Sequence, residues 1–214
     1  MLNLLKTDVI IRLSYNQDEE LFKMNTALLL IDIQNDYFLN GRMPLEKSAE
    51  ACQKAQEALQ AYRSKQLPVI HVQHISTRPD AIHFLPCTKG VEFHPNIQPI
   101  KSETVIKKHY PNSFKDTSLL NHLHKQNIKH LVIAGMMTHM CIDATTRAAY
   151  DLGFSCTVLH DACATKSLEF NNMVIPAQTV HQAFLAALQP LYAHVTSVRE
   201  LLQTLETMRT LATA

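Results

Sequence analysis

Three side chains far apart in the sequence, Asp32, Lys108 and Cys141, are of the types that together run nucleophilic chemistry. Cys141 lies in HLVIAGMMTHMCIDATTRAAYDLGF (130–154), where an apolar run passes a glycine and a few polar letters before a helical pattern begins. That spacing puts the thiol in the first turn of a helix, where free N–H groups and the positive dipole end favour a thiolate. Most free cysteines are small buried hydrophobes, so position alone makes Cys141 a candidate nucleophile and nothing more. Asp32 interrupts the apolar run TALLLIDI near its carboxyl end, and a buried carboxylate is costly unless something pairs with it. Lys107 and Lys108 end TVIKK on opposite faces of a strand, so one can enter the same crevice while the other stays solvated. With these parts, Asp32 can take the thiol proton, a lysine cation can stabilise both partners, and Cys141 can attack a carbonyl carbon to give an acyl-enzyme. The tight GMMTHMC turn offers the backbone N–H groups of Met137 and Cys141 to an oxyanion.

The elements that must position these residues alternate between strand and helix. TALLLIDI (26–33) is apolar almost throughout, the pattern of a strand buried on both faces of a parallel sheet. From about Leu45 to Lys65, Ala49, Cys52, Ala55, Ala58 or Leu59, and Tyr62 recur at helical spacing, and LPVIHVQH (67–74) returns to strand character. Residues 75–103 carry four prolines and no sustained period, which marks a long irregular excursion of the kind that usually serves function. TVIKK (104–108) and HLVIAG (130–135) read as strands on either side of a helix at 118–126. Thr138 could cap the next helix, ending near Gly153; FSCTVLH (154–160) and AHVTS (193–197) are further strands. PAQTVHQAFLAALQP (176–190), with its stripe Val180, Phe184 and Leu188, and VRELLQTLETMRTL are helices. The order predicts a three-layer α-β-α sandwich: a Rossmann-like open parallel sheet of about six strands, covered on both faces and joined by right-handed crossovers. Such sheets bind ligands at the carboxyl ends of their strands, where Asp32, His74, Lys108 and the turn at 136–141 all fall.

Composition narrows the partners. The 214 residues suit one domain; apolar residues are 46% and charged residues 18%, which excludes a disordered chain. A formal net charge of +1 gives no global field toward nucleic acid or anionic lipid, and no apolar stretch approaches the ~20 residues of a membrane helix. Lys6, Asp8 and Arg12 break the apolar region a signal peptide needs, so a cytoplasmic protein is expected. Residues 1–23 read as an N-terminal arm or extension and 24–214 as the domain. Five cysteines without a CxxC pair fit neither a disulfide framework nor a zinc knuckle, and the twelve histidines form no HExxH pair.

The motifs LLLIDIQNDYF, VIKKHYPNSFKDTSL and LVIAGMMTHMCIDATTRAAYDLGF together resemble the isochorismatase-like superfamily of cysteine hydrolases, from about Thr26 to the C-terminus. The resemblance implies that Asp32, Lys108 and Cys141 form the catalytic triad, Lys108 preferred over Lys107 because it precedes HYPNSF directly. It also implies a non-proline cis peptide between Met136 and Met137, which turns the Met137 N–H into the oxyanion hole. Metal-binding nicotinamidases carry an Asp-x-His arrangement after the first motif that NGRMPLEKSAEAC lacks, so neither a catalytic metal nor another cofactor is expected. Isochorismatases of siderophore pathways cleave a vinyl ether without this cysteine. Its presence points to C–N bond hydrolysis of a small amide, carbamoyl or ureido compound. Vinyl-ether hydrolysis using Asp32, and a catalytically silent binding paralogue, remain as alternatives. The family commonly forms homodimers or larger homo-oligomers, which is the expected assembly. For substrate contacts, Gln34, Tyr37, Phe38, His74, Phe84, Phe114 and His139 are candidates, with core packing the competing role for each.

Overall fold

The computed structural model describes residues 25–212, with side chains to residue 207, so the reading of residues 1–23 as an arm lies outside the described residues. In chain order the main elements are β1 (Thr26–Ile31), α1 (Ser48–Ser64), β2 (Val69–His74), β3 (Thr104–Lys108), α2 (Leu119–Lys125) and β4 (His130–Met136). There follow α3 (Asp143–Asp151), β5 (Ser155–Ala164), β6 (Leu168–Phe170), β7 (Met173–Ile175), α4 (Ala177–Leu188), β8 (His194–Thr196) and α5 (Val198–Ala212). Six strands form one parallel sheet in the order β3-β2-β1-β4-β5-β8. The chain winds outward from β1 toward β3, then returns to lay β4, β5 and β8 on the other side, so the direction reverses between β1 and β4. A crevice opens at such a reversal, outside the carboxyl ends of the strands.

Burial on both faces explains why β1 lacks polar alternation. Leu28 and Leu30 pack with α1 residues Cys52, Ala55 and Leu59 and with Val198 and Leu201 of α5. Ala27, Leu29 and Ile31 point to the opposite layer, with Leu119 and Leu123 of α2, Ala149 of α3 and Leu185 of α4. Three layers result, as the alternation of elements predicts. β1 and β4 approach so closely at their carboxyl ends that a Cβ on Gly135 would lie 2.0 Å from the Ile31 carbonyl oxygen. Gly135 also sits at φ +134°, which side chains rarely adopt, so only glycine fits.

Three local features depart from the sequence reading. The residues following β4 form a π turn, Thr138–Ile142, with the Ile142 N–H donating to the Met137 carbonyl at 3.2 Å, before α3 begins. Thr138 therefore caps nothing; its hydroxyl bonds the His181 ring at 2.9 Å and the Ala164 carbonyl at 3.3 Å. β5 runs to Ala164, longer than expected, with a register shift opposite Ile133–Gly135. Residues 168–175 form a hairpin whose Asn171 and Asn172 both have positive φ, the type I′ geometry that Asn tolerates.

The irregular excursion 75–103 contains two single-turn 3-10 helices, Lys89–Val91 and Pro95–Ile97, and folds back over the sheet. Three ties hold it. The Gln34 amide N–H groups donate to His74 and Val91 carbonyls at 2.9 and 2.7 Å. Asp36 accepts the Phe84 N–H at 2.6 Å, and Gly90 leaves the space that this carboxylate fills. Glu103 binds both Arg63 and His71 at the far end.

Candidate active site

Asp32 follows β1 directly in a left-handed conformation, φ +53°, with its N–H bound to Val72. That turn aims a carboxylate with no solvent exposure into the crevice. Lys108 is the last residue of β3 and is also fully buried, while Lys107 is exposed, as alternation along a strand requires. Its Nζ lies 2.7 Å from Asp32 Oδ2 and donates to His74 Nδ1 at 3.2 Å, the Tyr110 carbonyl at 3.1 Å and the Pro111 carbonyl at 3.4 Å. Cys141, in the π turn, is 5% exposed, and its thiol is within hydrogen-bond reach of both Asp32 and Lys108. Neither Asp32 oxygen has a well-aligned donor. Ammonium and thiol hydrogens rotate, however, so reach matters more than the static angle. The sheet thus brings together the acid, the ammonium and the thiol from three strand ends.

The electrostatics set the resting protonation. Burial, then the negative charge of Asp32, raise the Cys141 pKa, and Lys108 opposes them without prevailing. The resting group is therefore the neutral thiol, contrary to the thiolate expected from a helix N-terminus. The reason is that burial and a carboxylate outweigh a dipole whose first turn is widened. For Lys108, burial acts to discharge the amine, but Asp32 more than offsets it and its pKa stands above the free value. His74 is driven down to about 4, chiefly by burial, so it is neutral at pH 7. An ammonium can only donate, which leaves His74 Nδ1 as acceptor and places its proton on Nε2. Asp32, His74 and Cys141 hold their ligating atoms within 4.8 Å of one another, a density that could bind a metal. The Lys108 ammonium touches all three, and is itself the cation they share.

The Met136–Met137 peptide is cis, and Met137 enters the π turn. Of the other candidates, Tyr37 is buried beside the cluster; burial first, then the charges of Cys141 and Asp32, raise its pKa. Phe84 meets Tyr37 edge-on at 4.7 Å and His74 at 5.6 Å between ring centroids. Gln34 is not available to a ligand, because both its amide hydrogens hold the excursion. Phe38 stacks on His94 at 4.1 Å, and Phe114 stacks on Phe154, so both are packing residues. His139 bonds the Thr165 hydroxyl and lies beside Phe184. His83, Lys166 and His181 are absent from the sequence reading, since an isolated histidine or lysine in a loop carries no periodic signal. A cavity of about 560 Å³ opens between α1, the end of β5 and α4, with Glu50, His160, Asp161 and His181 in its wall; none of Asp32, Lys108 and Cys141 lines it.

An open parallel sheet that gathers these groups at its carboxyl edge defines an α/β enzyme. The chain belongs to the isochorismatase family, whose domain description, Isochorismatase domain, matches residues 26–200, and it is a hydrolase of that family. It is 49% identical over 180 residues to the isochorismatase family protein YddQ of Bacillus subtilis, covering 84% of this chain and all of YddQ. A streptothricin hydrolase of Streptomyces noursei is 32% identical over 139 residues, 65% of this chain and 49% of that protein. The crystal structure of an isochorismatase hydrolase from Oleispira antarctica superposes with a TM-score of 0.81 at 49% identity, covering 84% of this chain and 97% of that one.

Proposed function

We propose that this protein is a metal-independent cysteine hydrolase that cleaves a C–N bond of a small amide, carbamoyl or ureido substrate through a thioester on Cys141. The observation that carries the reading is the buried contact of Asp32 with Lys108 at 2.7 Å, with the Cys141 thiol in reach of both. A thiol held neutral beside a carboxylate needs deprotonation only as it attacks, and Asp32 is the base in place. The sulfur adds to the acyl carbon, and the proton passes to Asp32. The negative charge that develops on the former carbonyl oxygen is received by the Met137 and Cys141 N–H groups. Collapse breaks the C–N bond, and Asp32 returns its proton to the leaving nitrogen. Water then adds to the thioester with Asp32 again taking a proton, and the acid product leaves as the thiol re-forms. Lys108 balances the carboxylate throughout, and Tyr37 and Phe84 pack beside the cluster.

Vinyl-ether cleavage needs no thiol, which makes Cys141 the discriminating residue. Incubation with a panel of small amides, carbamoyl and ureido compounds, acid quench and peptide mass spectrometry should find an acyl adduct on Cys141. Cys141→Ala should abolish turnover. Turnover that survives in Cys141→Ala would overturn the reading.

A further inference from the structure

The motif that carries Lys108 continues through residues 109–114, HYPNSF, and no step of the proposed reaction uses that stretch. Its backbone holds the ammonium: Lys108 Nζ donates to the Tyr110 and Pro111 carbonyls at 3.1 and 3.4 Å. The turn is itself braced from within. Asn112 Oδ1 accepts the Phe114 N–H at 2.9 Å, and the Ser113 carbonyl accepts the Thr117 hydroxyl at 2.6 Å.

One side chain ties this turn to the helix beyond the thiol. Thr145 lies in α3, four residues after Cys141 and so about one helical turn further on. Its hydroxyl accepts the Ser113 N–H at 3.1 Å, meets the Ser113 hydroxyl at 2.9 Å and donates to the Pro111 carbonyl at 3.4 Å. The Ser113 hydroxyl has no other partner among the described residues, so it donates to Thr145 Oγ1. Thr145 then accepts two bonds and donates one, which uses its full capacity. Neither Ser113 nor Thr145 has any solvent exposure. Apolar side chains could join helix and turn about as strongly, because a buried hydrogen-bonded pair gains little over apolar groups of the same shape. What the hydrogen bonds add is a fixed direction and distance. Thr145 and Lys108 share the Pro111 carbonyl, so a bonded path runs from the helix after Cys141 to the ammonium.

We propose that Thr145 is a positioning residue: with Ser113 it forms a strut that sets where the Lys108 ammonium stands relative to the Cys141 sulfur. This rests on Cys141 being the nucleophile and Lys108 its partner. The pH profile of Cys141 alkylation by iodoacetamide, read by peptide mass spectrometry, tests it. Asp32, His74 and Tyr37, which also face the thiol or the ammonium, stay unchanged in every variant. Lys108 lowers the thiol pKa. Thr145→Val should therefore move the profile to higher pH, in the same sense as Lys108→Met. The shift should be roughly half a unit to one unit, the scale of a unit charge receding by about 1 Å. Thr145→Ser keeps the hydroxyl and should follow wild type. So should Thr146→Val, which removes a neighbouring buried hydroxyl that has no hydrogen-bond partner. In a Lys108→Met background, Thr145→Val should add no shift. Ser113→Ala spares the N–H bond and should give a smaller shift in the same sense; it carries the comparison if Thr145→Val does not fold. A strut variant that superimposes on wild type while Lys108→Met is displaced would remove the strut and leave the triad standing. So would an equal shift in Thr146→Val, or one that persists in the Lys108→Met background. If Lys108→Met itself leaves the profile in place, the triad reading falls and the strut with it.

Discussion

Replacing Lys108 by Met would leave Asp32 as a lone carboxylate in a site without solvent contact. At 2.7 Å the pair attracts by about 6 kcal/mol at an effective dielectric of about 20, part of which offsets the desolvation of both groups. Removing one partner of such a pair costs about 3–5 kcal/mol, because the survivor keeps its desolvation penalty and loses its compensation. The carbonyls of Tyr110 and Pro111 also lose a donor, included in that range. Neutralising both members, in Asp32→Asn with Lys108→Met, should therefore recover stability, leaving the double variant only about 1–2 kcal/mol below wild type. Urea denaturation followed by circular dichroism reads all four proteins of the cycle. A Lys108→Met protein within about 1 kcal/mol of wild type, or a double variant that shows the sum of the single losses, would refute the account of the cluster as a coupled buried pair.

Gly135→Ala should cost about 3 kcal/mol or more, seen as a lowered urea midpoint, because its Cβ meets the Ile31 carbonyl and its φ is positive. Gln34→Leu should loosen the excursion at a cost of about 1–3 kcal/mol, because the His74 N–H and carbonyl both lose their Gln34 partner while the Val91 carbonyl keeps only Gln73, and should expose residues 78–82 to protease; an unchanged cleavage pattern would contradict the clamp. Acid should weaken the fold through His74 and His130, each lowered to about 4, mainly by burial. The unfolded chain binds their protons from about pH 6.5 downward while the folded chain does not until about pH 4, so stability declines across that window. His130→Asn should flatten the urea midpoint between pH 6.5 and 4, and an unaltered slope would contradict the assignment.

Much of this was legible in sequence where a pattern repeats. The doubly buried run of β1, the spacing of Ala55, Leu59 and Tyr62 in α1, and the placing of Lys107 and Lys108 on opposite faces follow from periods of 3.6 and 2, whereas the choice of Lys108 as the buried one rests on the family resemblance. The Met136–Met137 cis peptide came from the family resemblance alone, since periodicity says nothing about ω. The thiol's protonation state was misread because position in a helix was legible and burial beside Asp32 was not. Gln34, Phe38 and Phe114 have the chemistry of ligand contacts, and only tertiary packing gives them structural work. The 168–175 hairpin escaped because strands of three residues carry too little alternation, although Asn171-Asn172 is the signal that marks it.

The central claim is that Asp32, Lys108 and Cys141 act as one proton-transfer unit. The most direct test is the pH dependence of Cys141 alkylation by iodoacetamide, in wild type and in folded Asp32→Asn and Lys108→Met proteins. Asp32 raises the thiol pKa and Lys108 lowers it. The midpoint should therefore move to lower pH in Asp32→Asn and to higher pH in Lys108→Met, while turnover falls in both. Superimposable profiles would mean that the thiol senses neither group, and would contradict the claim.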